Sequence, residues 1–447
     1  MGHEFFAPAQ WRRRIALWTG GIVTGLAAIF FSQAANEASA VFERLLAFSP
    51  YLPLALTPIL FALLAWATRG VLRPTRGSGI PQVIAAIGVE DAGFRQRLLS
   101  LPVALGKMIL TLVALLGGAS VGREGPTVHV GAGLMYWLGR RFGFSDSQQI
   151  SRFVLAGGGA GIAAAFNTPL AGVVFAIEEL AGTFEHRFSG IILTAVLFAG
   201  VVSLGVLGDY SYFGIVDVEL PLGRSWVAVL MCGVCGGLGG GLFSRLILLA
   251  DRGPLSMLKA WRRRAPVLFA FACGLALAAV GVATGSVIYG TGYSQAQGLV
   301  HSTQSAAASF GLAKLAANIL SQWAGIPGGI FSPALAVGAG MGNTLAGLLT
   351  SAPAAAVVLL GMASFLSGVT QTPITAAVIS LELTASHSMV IPIMAVCLLA
   401  RAISTLVCRE PVYRALANEV IAEFERKRAV AEAEAQAPSP TPSPDAA

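Results

Sequence analysis

LGKMILTLVALLGGASVGREGPTVHVGAGL fills residues 105–134, and moving the sequence by 207 places lays it on LAKLAANILSQWAGIPGGIFSPALAVGAGM, residues 312–341. Leu105, Lys107, Gly118, Gly122, Pro126, Val130, Gly131, Ala132 and Gly133 each meet an identical residue there. Two more pairs keep the same order. AAFNTPLAGVVFAIEEL (164–180) matches GVTQTPITAAVISLELT (368–384), with Thr168-Pro169 on Thr372-Pro373 and Glu178 on Glu382, and GSGIPQ (77–82) echoes GTGYSQ (290–295). Biased composition alone does not order three motifs, so the chain reads as two structural halves.

Hydrophobic residues make up 55% of the 447 and charged residues 11%, and mean hydropathy is +0.74, which excludes a water-soluble domain. Apolar runs near the length of about 20 residues that crosses a bilayer as helix cover 15–35, 51–68, 99–118, 189–207, 226–250, 265–283 and 389–407. The fold class expected is an all-α polytopic membrane protein. The first run follows Trp11-Arg12-Arg13-Arg14 and reads as an uncleaved first segment rather than a signal peptide. Cys232, Cys235, Cys273, Cys397 and Cys408 lie in or beside apolar segments and read as small packing residues, not as a metal or redox set. No metal, cofactor or nucleic acid is expected; the net charge of +7 is arginine in short loops and reports topology.

Loop charges set the orientation expected. Arg12–Arg14, Arg69, Arg73 and Arg76 put the amino terminus and the loop before GSGIP in the cytoplasm, and Arg409 and Arg414 put the carboxyl end there too. The linker 208–223 carries Asp209, Asp217 and Glu219 with no base, and reads as external. The halves, 11–215 and 216–410, are then inverted repeats, a transporter architecture with its site near the midplane. Residues 1–10 form an amino-terminal segment, 411–428 a polar helix and 429–447 a disordered tail.

Glycine and proline interrupt apolar sequence at RGSGIP, VGREGP, GIPGGIFSP and REPVY. Irregular backbone at membrane depth is tolerated only where it lines a cavity or is buried in protein. Each of the first three interruptions precedes a helical run, so each presents free N–H groups and about half a positive charge at a helix N-terminus, a set suited to an anion. Lys107 and Arg123 are the main embedded cations, and their expected role is structural. Glu124 stands where a carboxylate at a helix N-terminus takes the anion's place and releases it on protonation. Glu178 repeats as Glu382, which suggests a helix-end or packing role common to both halves; Glu179 aligns with Leu383, and this lone acid is the better candidate for a proton task.

GSGIP (77–81), GREGP (122–126), GGIFSP (328–333) and the tyrosine of EPVY, Tyr413, together resemble the CLC chloride channel and transporter family over about residues 11–424. The resemblance implies a CLC-type inverted repeat of tilted, partly broken helices, assembled as a homodimer with one pathway per subunit in the cell inner membrane. It implies that the hydroxyls of Ser78 and Tyr413 and the backbone N–H groups of Ile330 and Phe331 bind chloride, that Glu124 is the gating glutamate, and that Glu179 is the internal proton glutamate. The function implied is a secondary active antiporter exchanging chloride for protons; the alternative is a passive chloride channel of the same fold. Serine in GSGIP points to chloride where nitrate-selective relatives carry proline, and fluoride exporters depart from these motifs. One departure is that Gln82-Val83-Ile84-Ala85 stands where bacterial exchangers carry acids. The 34 residues after Tyr413 are too few for the regulatory domain pair of eukaryotic members.

Two readings from other classes compete. An intramembrane serine protease using His129 lacks a G-x-S-x-G element, and His129 reads as a polar packing residue instead. A scaffold without transport requires Glu124 to be dispensable for ion flux.

Overall fold

The computed structural model describes residues 8–182, 189–252, 256–304 and 306–436, and among these all regular structure beyond isolated bridges is helical. In the first half α1 (Pro8–Phe48), α2 (Pro53–Ala67), α3 (Ile80–Gly88), α4 (Ala92–Leu99), α5 (Leu101–Leu116), α6 (Glu124–Arg141), α7 (Ser147–Phe166), α8 (Pro169–Phe175) and α9 (Ser189–Leu207) follow one another. The second half contributes α10 (Val227–Arg252), α11 (Ser256–Arg264), α12 (Pro266–Ala283), α13 (Tyr293–Val300), α14 (Phe310–Ala324), α15 (Phe331–Ala346), α16 (Ala354–Thr370), α17 (Pro373–Thr384) and α18 (Val390–Val407), and α19 (Val412–Gln436) closes the chain. All seven expected apolar runs are helical. Among the described residues six helical segments are long and apolar enough to cross a membrane, whereas α2 has only 15 residues.

The sequence repeat reappears as matching boundaries. α6 and α15 begin at Glu124 and Phe331, α3 and α13 at Ile80 and Tyr293, and α8 and α17 at Pro169 and Pro373, the same offsets that align the motifs. Proline at the first helical turn has φ already suited to helix and no N–H to satisfy. α7 and α16 stop on Asn167 and Gln371, both in the left-handed conformation that ends a helix. Packing matches too: a side chain at Gly131 would strike the carbonyl of Gly157 where α6 crosses α7, and one at Gly338 that of Gly361 where α15 crosses α16. Such small-residue crossings let backbones approach without an aqueous hydrophobic drive.

Polar groups tie the halves together. The Glu178 carboxylate accepts from the N–H groups of Ile374 (3.3 Å) and Thr375 (2.6 Å) at the start of α17. Reciprocally, Glu382 accepts from Leu170 (3.1 Å) and Ala171 (2.5 Å) at the start of α8. The helix-end role expected for this pair is therefore what the structure holds, with each half capping a helix of the other. Lys107 and Lys314, equivalent and fully buried, each hold the carbonyls of the loop before a repeated motif: Thr75 (2.8 Å) and Gly77 (2.5 Å) for Lys107, Ile288 (2.8 Å), Tyr289 (3.3 Å) and Gly290 (2.7 Å) for Lys314.

One expected boundary moves. The helix placed at 411–428 runs on to Gln436, because AVAEAEAQ is rich in strong helix formers and Arg428 pairs with Glu432 one turn on (2.7 Å). Residues 429–436 of the expected disordered tail are thus helical, and 437–447 lie outside the described residues. At the other end residues 8–10 of the expected amino-terminal segment already belong to α1, and 1–7 are not described.

Glu382→Ala strips two N–H groups at the start of α8 of their acceptor. We expect a loss of roughly 1–3 kcal/mol, read as a lower melting temperature in detergent; an unchanged melting temperature would show that the cap carries no stability.

Candidate functional site

Three interrupted segments meet through backbone hydrogen bonds. Gly122 and Gly329 exchange a reciprocal pair, each N–H donating to the other's carbonyl at 2.7 Å, and Gly77 donates to Ile326 (3.1 Å) while accepting from Gly328 (3.0 Å). The loops before α3, α6 and α15 therefore form one knot. Gly79 holds φ at 104°, and a side chain there would meet the Cβ of His129 and the carbonyl of Gly125. At Gly125 a side chain would meet the hydroxyl of Ser78. Only glycine lets these turns close this far.

The expected ligands lie around this knot. Ser78 and Tyr413 are 4% and 0% exposed, yet neither hydroxyl has a hydrogen-bond partner among the described residues. Tyr413 comes from the first turn of α19, which packs on α3, and it lies close to Ser78 and within electrostatic range of both Glu124 and Glu179. An ion pair between Arg73 and Glu423 (2.7 Å) fixes α19 against the loop that leads to Ser78. Ile330 caps α15 and Phe331 opens it, so their N–H groups are among the first of the helix and have no acceptor within it. Buried hydroxyls and N–H groups left without partners are costly, which makes this set a ready receiver for an acceptor-only ion.

Glu124 begins α6 and is completely buried. Its Oε1 accepts from the Ser332 hydroxyl at 2.6 Å, and its Oε2 has no partner among the described residues. Ser332 stands in the first turn of α15, so the carboxylate of one half reaches the helix end of the other. Arg123 does not neutralise it: that guanidinium donates to the carbonyl of Ser32 (2.7 Å) and to Asn36 (2.5 Å) on α1, with its Cζ 5.8 Å from the Tyr212 ring centroid. With Lys107 bound to loop carbonyls, Lys107 and Arg123 both hold backbone, the structural role expected of them.

Glu179 lies in a π-helical turn over Ala176–Ala181 and is 2% exposed. Its Oε2 accepts from Thr372 (3.2 Å), whose hydroxyl also lies 2.9 Å from that of Thr370. Single π turns recur at functional sites because they re-aim a side chain. His129 contacts the Leu98 carbonyl through Nε2 (2.8 Å), in keeping with a packing residue. Cys232 is buried, with its sulfur 3.7 Å from the Val357 carbonyl.

Sequence reasoning passed over three contributors. Ser332 was inside the quoted GGIFSP stretch, and a hydroxyl one residue into a helix facing an opposed acid was the available signal. Thr372 was aligned with Thr168 but not assigned a task. The third is the inter-half linker, whose Tyr212 packs edge-on against Phe166 (5.2 Å) and Tyr293 (4.7 Å), while Phe213 donates to the Leu383 carbonyl (2.8 Å) and Val216 to that of Thr384 (2.9 Å). No local motif announces such a strap.

The family described as "Voltage gated chloride channel" matches residues 60–405 of the sequence. The chain belongs to the voltage-gated chloride channel family. Among curated relatives of this family member, an H(+)/Cl(-) exchange transporter ClcA of Yersinia pestis is 29% identical over 442 residues, covering 92% of this chain and 88% of the relative. The protein of the same description from Cronobacter sakazakii is 28% identical over 439 residues, covering 91% and 90%. Solved structures carry the same fold: a slow cyanobacterial Cl-/H+ antiporter (TM-score 0.75, 23% identity, 92% and 98% coverage) and a CLC-type fluoride/proton antiporter (TM-score 0.75, 24% identity, 90% and 97% coverage). The expected fold class, an all-α polytopic CLC-type membrane protein with broken helices, stands.

Tyr413→Phe and Ser78→Ala remove hydroxyls that lie near one another and make no hydrogen bond of good geometry among the described residues. We expect the melting temperature in chloride-free buffer to change by no more than about 0.5 kcal/mol of stability allows; a large loss would expose an intramolecular partner.

Proposed function

We propose that this protein is a secondary active antiporter that exchanges chloride for protons. The observation that carries the reading is the pair of buried, non-equivalent acids, Glu124 at the knot against Ser332 and Glu179 in the π turn against Thr372. The full-length exchange-transporter relatives support it over a passive channel, which needs only a pathway and no second acid.

Chloride binds between the Ser78 and Tyr413 hydroxyls and the N–H groups of Ile330 and Phe331. A dehydrated anion in hydrocarbon costs tens of kcal/mol by idealised Born estimates, and oriented N–H dipoles offset this without a mobile countercharge. Ionised Glu124 competes for the same positive helix ends, because it opens α6 and accepts from Ser332 at the start of α15. Protonation removes its charge and with it the attraction to those dipoles, so the side chain yields the position to chloride. Glu179, held by Thr372, passes protons between Glu124 and the cytoplasmic side. One carboxyl thus alternates between proton carrier and stand-in anion, which couples the two flows in opposite directions.

The remaining assignments rest on the same reading. The halves span 11–215 and 216–410, the protein lies in the cell inner membrane with both termini in the cytoplasm, and it works as a homodimer. Exposed apolar side chains on α8, α9, α17 and α18, such as Leu170, Leu197, Ile374 and Leu398, suit a partner subunit or lipid.

In liposomes bearing a chloride gradient, chloride efflux is expected to drive proton uptake that a pH electrode records; efflux without proton movement would leave a channel. Glu179→Gln is expected to abolish proton uptake while chloride still passes, and retained coupling would remove Glu179 from the proton path. Glu124→Ala is expected to give chloride flux independent of pH, and a wild-type pH profile would contradict its gating role. Ser78→Pro is expected to shift competition between the two anions toward nitrate; unchanged selectivity would free residue 78 from that task.

A further inference from the structure

Where the start of α1 meets α7 and α9, the surface folds inward to a cavity of about 480 Å3 whose wall includes Arg13, Arg14, Leu17, Trp18, Arg152 and Thr194. Three arginines line it, and no acid stands among its described lining residues. Nearby, Arg12 lies over the Phe144 ring (5.1 Å) and Arg14 over Trp11 (5.4 Å), Arg140 and Arg141 end α6, and Asp146, the acid of the connecting loop 142–146, is engaged in capping α7 at Gln149 (2.8 Å). Arg14 and Arg152 have contacts of their own inside the protein, so a ligand there joins an existing network.

The residue types specify a ligand class. A planar guanidinium matches phosphate oxygens two at a time, and three of them around one cavity suit a phosphodiester. Trp18 lines the cavity and packs on Phe198 (5.5 Å), the amphipathic ring expected at a headgroup boundary. Farther along, α1 exposes the apolar side chains of Ile22, Leu26 and Phe30. A free phosphate ion has no use for that flank, whereas the acyl chains of a lipid do. Basic pockets between transmembrane helices are known takers of anionic headgroups.

We propose that this cavity holds the phosphodiester headgroup of an anionic phospholipid whose chains lie along α1. None of its lining residues belongs to the transport site, so the proposal stands or falls apart from the exchange mechanism.

The test uses the full chain in phosphatidylcholine vesicles containing a minor fraction of phosphatidylglycerol, with bromine placed on the acyl chains of one lipid or the other. Quenching of Trp18 is isolated by subtracting the signal of Trp18→Phe, since the chain has seven tryptophans. Brominated phosphatidylglycerol is expected to quench at a lower mole fraction than brominated phosphatidylcholine, and Arg13→Gln or, independently, Arg152→Gln is expected to weaken that preference about fivefold each. Chloride flux in neutral vesicles stays at wild-type level in both variants and reports that they fold. Equal quenching by the two lipids, or a preference that survives both substitutions, would overturn the proposal. Inorganic phosphate added in excess is expected to leave the preference intact; if it abolishes the preference at constant ionic strength, the cavity is a site for the free ion and the lipid assignment fails.

Discussion

Two hydrogen bonds between Gly122 and Gly329 carry the rest of the architecture. Backbone that leaves its helix at membrane depth must find partners within the protein. Here each broken segment satisfies the other, and the N-termini of α6 and α15 are left side by side with their first N–H groups directed away from any helical acceptor. The site is a consequence of that closure. No cation has to be buried to receive an anion, because the buried cations Lys107, Lys314 and Arg123 are occupied in holding loop carbonyls and α1.

The two halves are alike in structure and unlike in chemistry. Glu178 and Glu382 exchange helix caps, the lysines hold equivalent loops, and the glycine crossings fall at equivalent positions. The differences lie in two acids that the other half lacks. Glu124 has Phe331 as its counterpart, and Glu179 has Leu383. A repeat with a titratable group in only one copy gives the pathway two different ends, which coupling between two ions requires. The threonines diverge likewise: Thr372 donates to Glu179, while the hydroxyl of Thr168 has no partner among the described residues.

Much of this was legible in the sequence, because helix ends in a membrane are marked by residues with few other uses there. Proline at the first turn, glycine at the break and small residues at crossings recur at fixed offsets, so the repeat predicted which helices start together. The asymmetry of Glu179 against Leu383 could be read by alignment alone. What could not be read is contact between segments far apart in the chain. Ser332 reaching Glu124 across 208 positions and the linker's Tyr212 packing on Phe166 depend on how the halves meet. The end of α19 was misplaced for a local reason: polar, alanine-rich sequence forms a helix in water as readily as a disordered tail, and the pairing of Arg428 with Glu432 favours the helix.

The claim at the centre is that peptide dipoles and hydroxyls, rather than basic side chains, seat the anion. Anomalous diffraction from crystals grown in bromide, with Glu124→Gln to mimic the protonated carboxyl, tests it directly. The account predicts a bromide peak within hydrogen-bonding distance of the Ile330 and Phe331 N–H groups and the hydroxyls of Ser78 and Tyr413. A peak on the amine of Lys107 or the guanidinium of Arg123, with none at the start of α15, would contradict it.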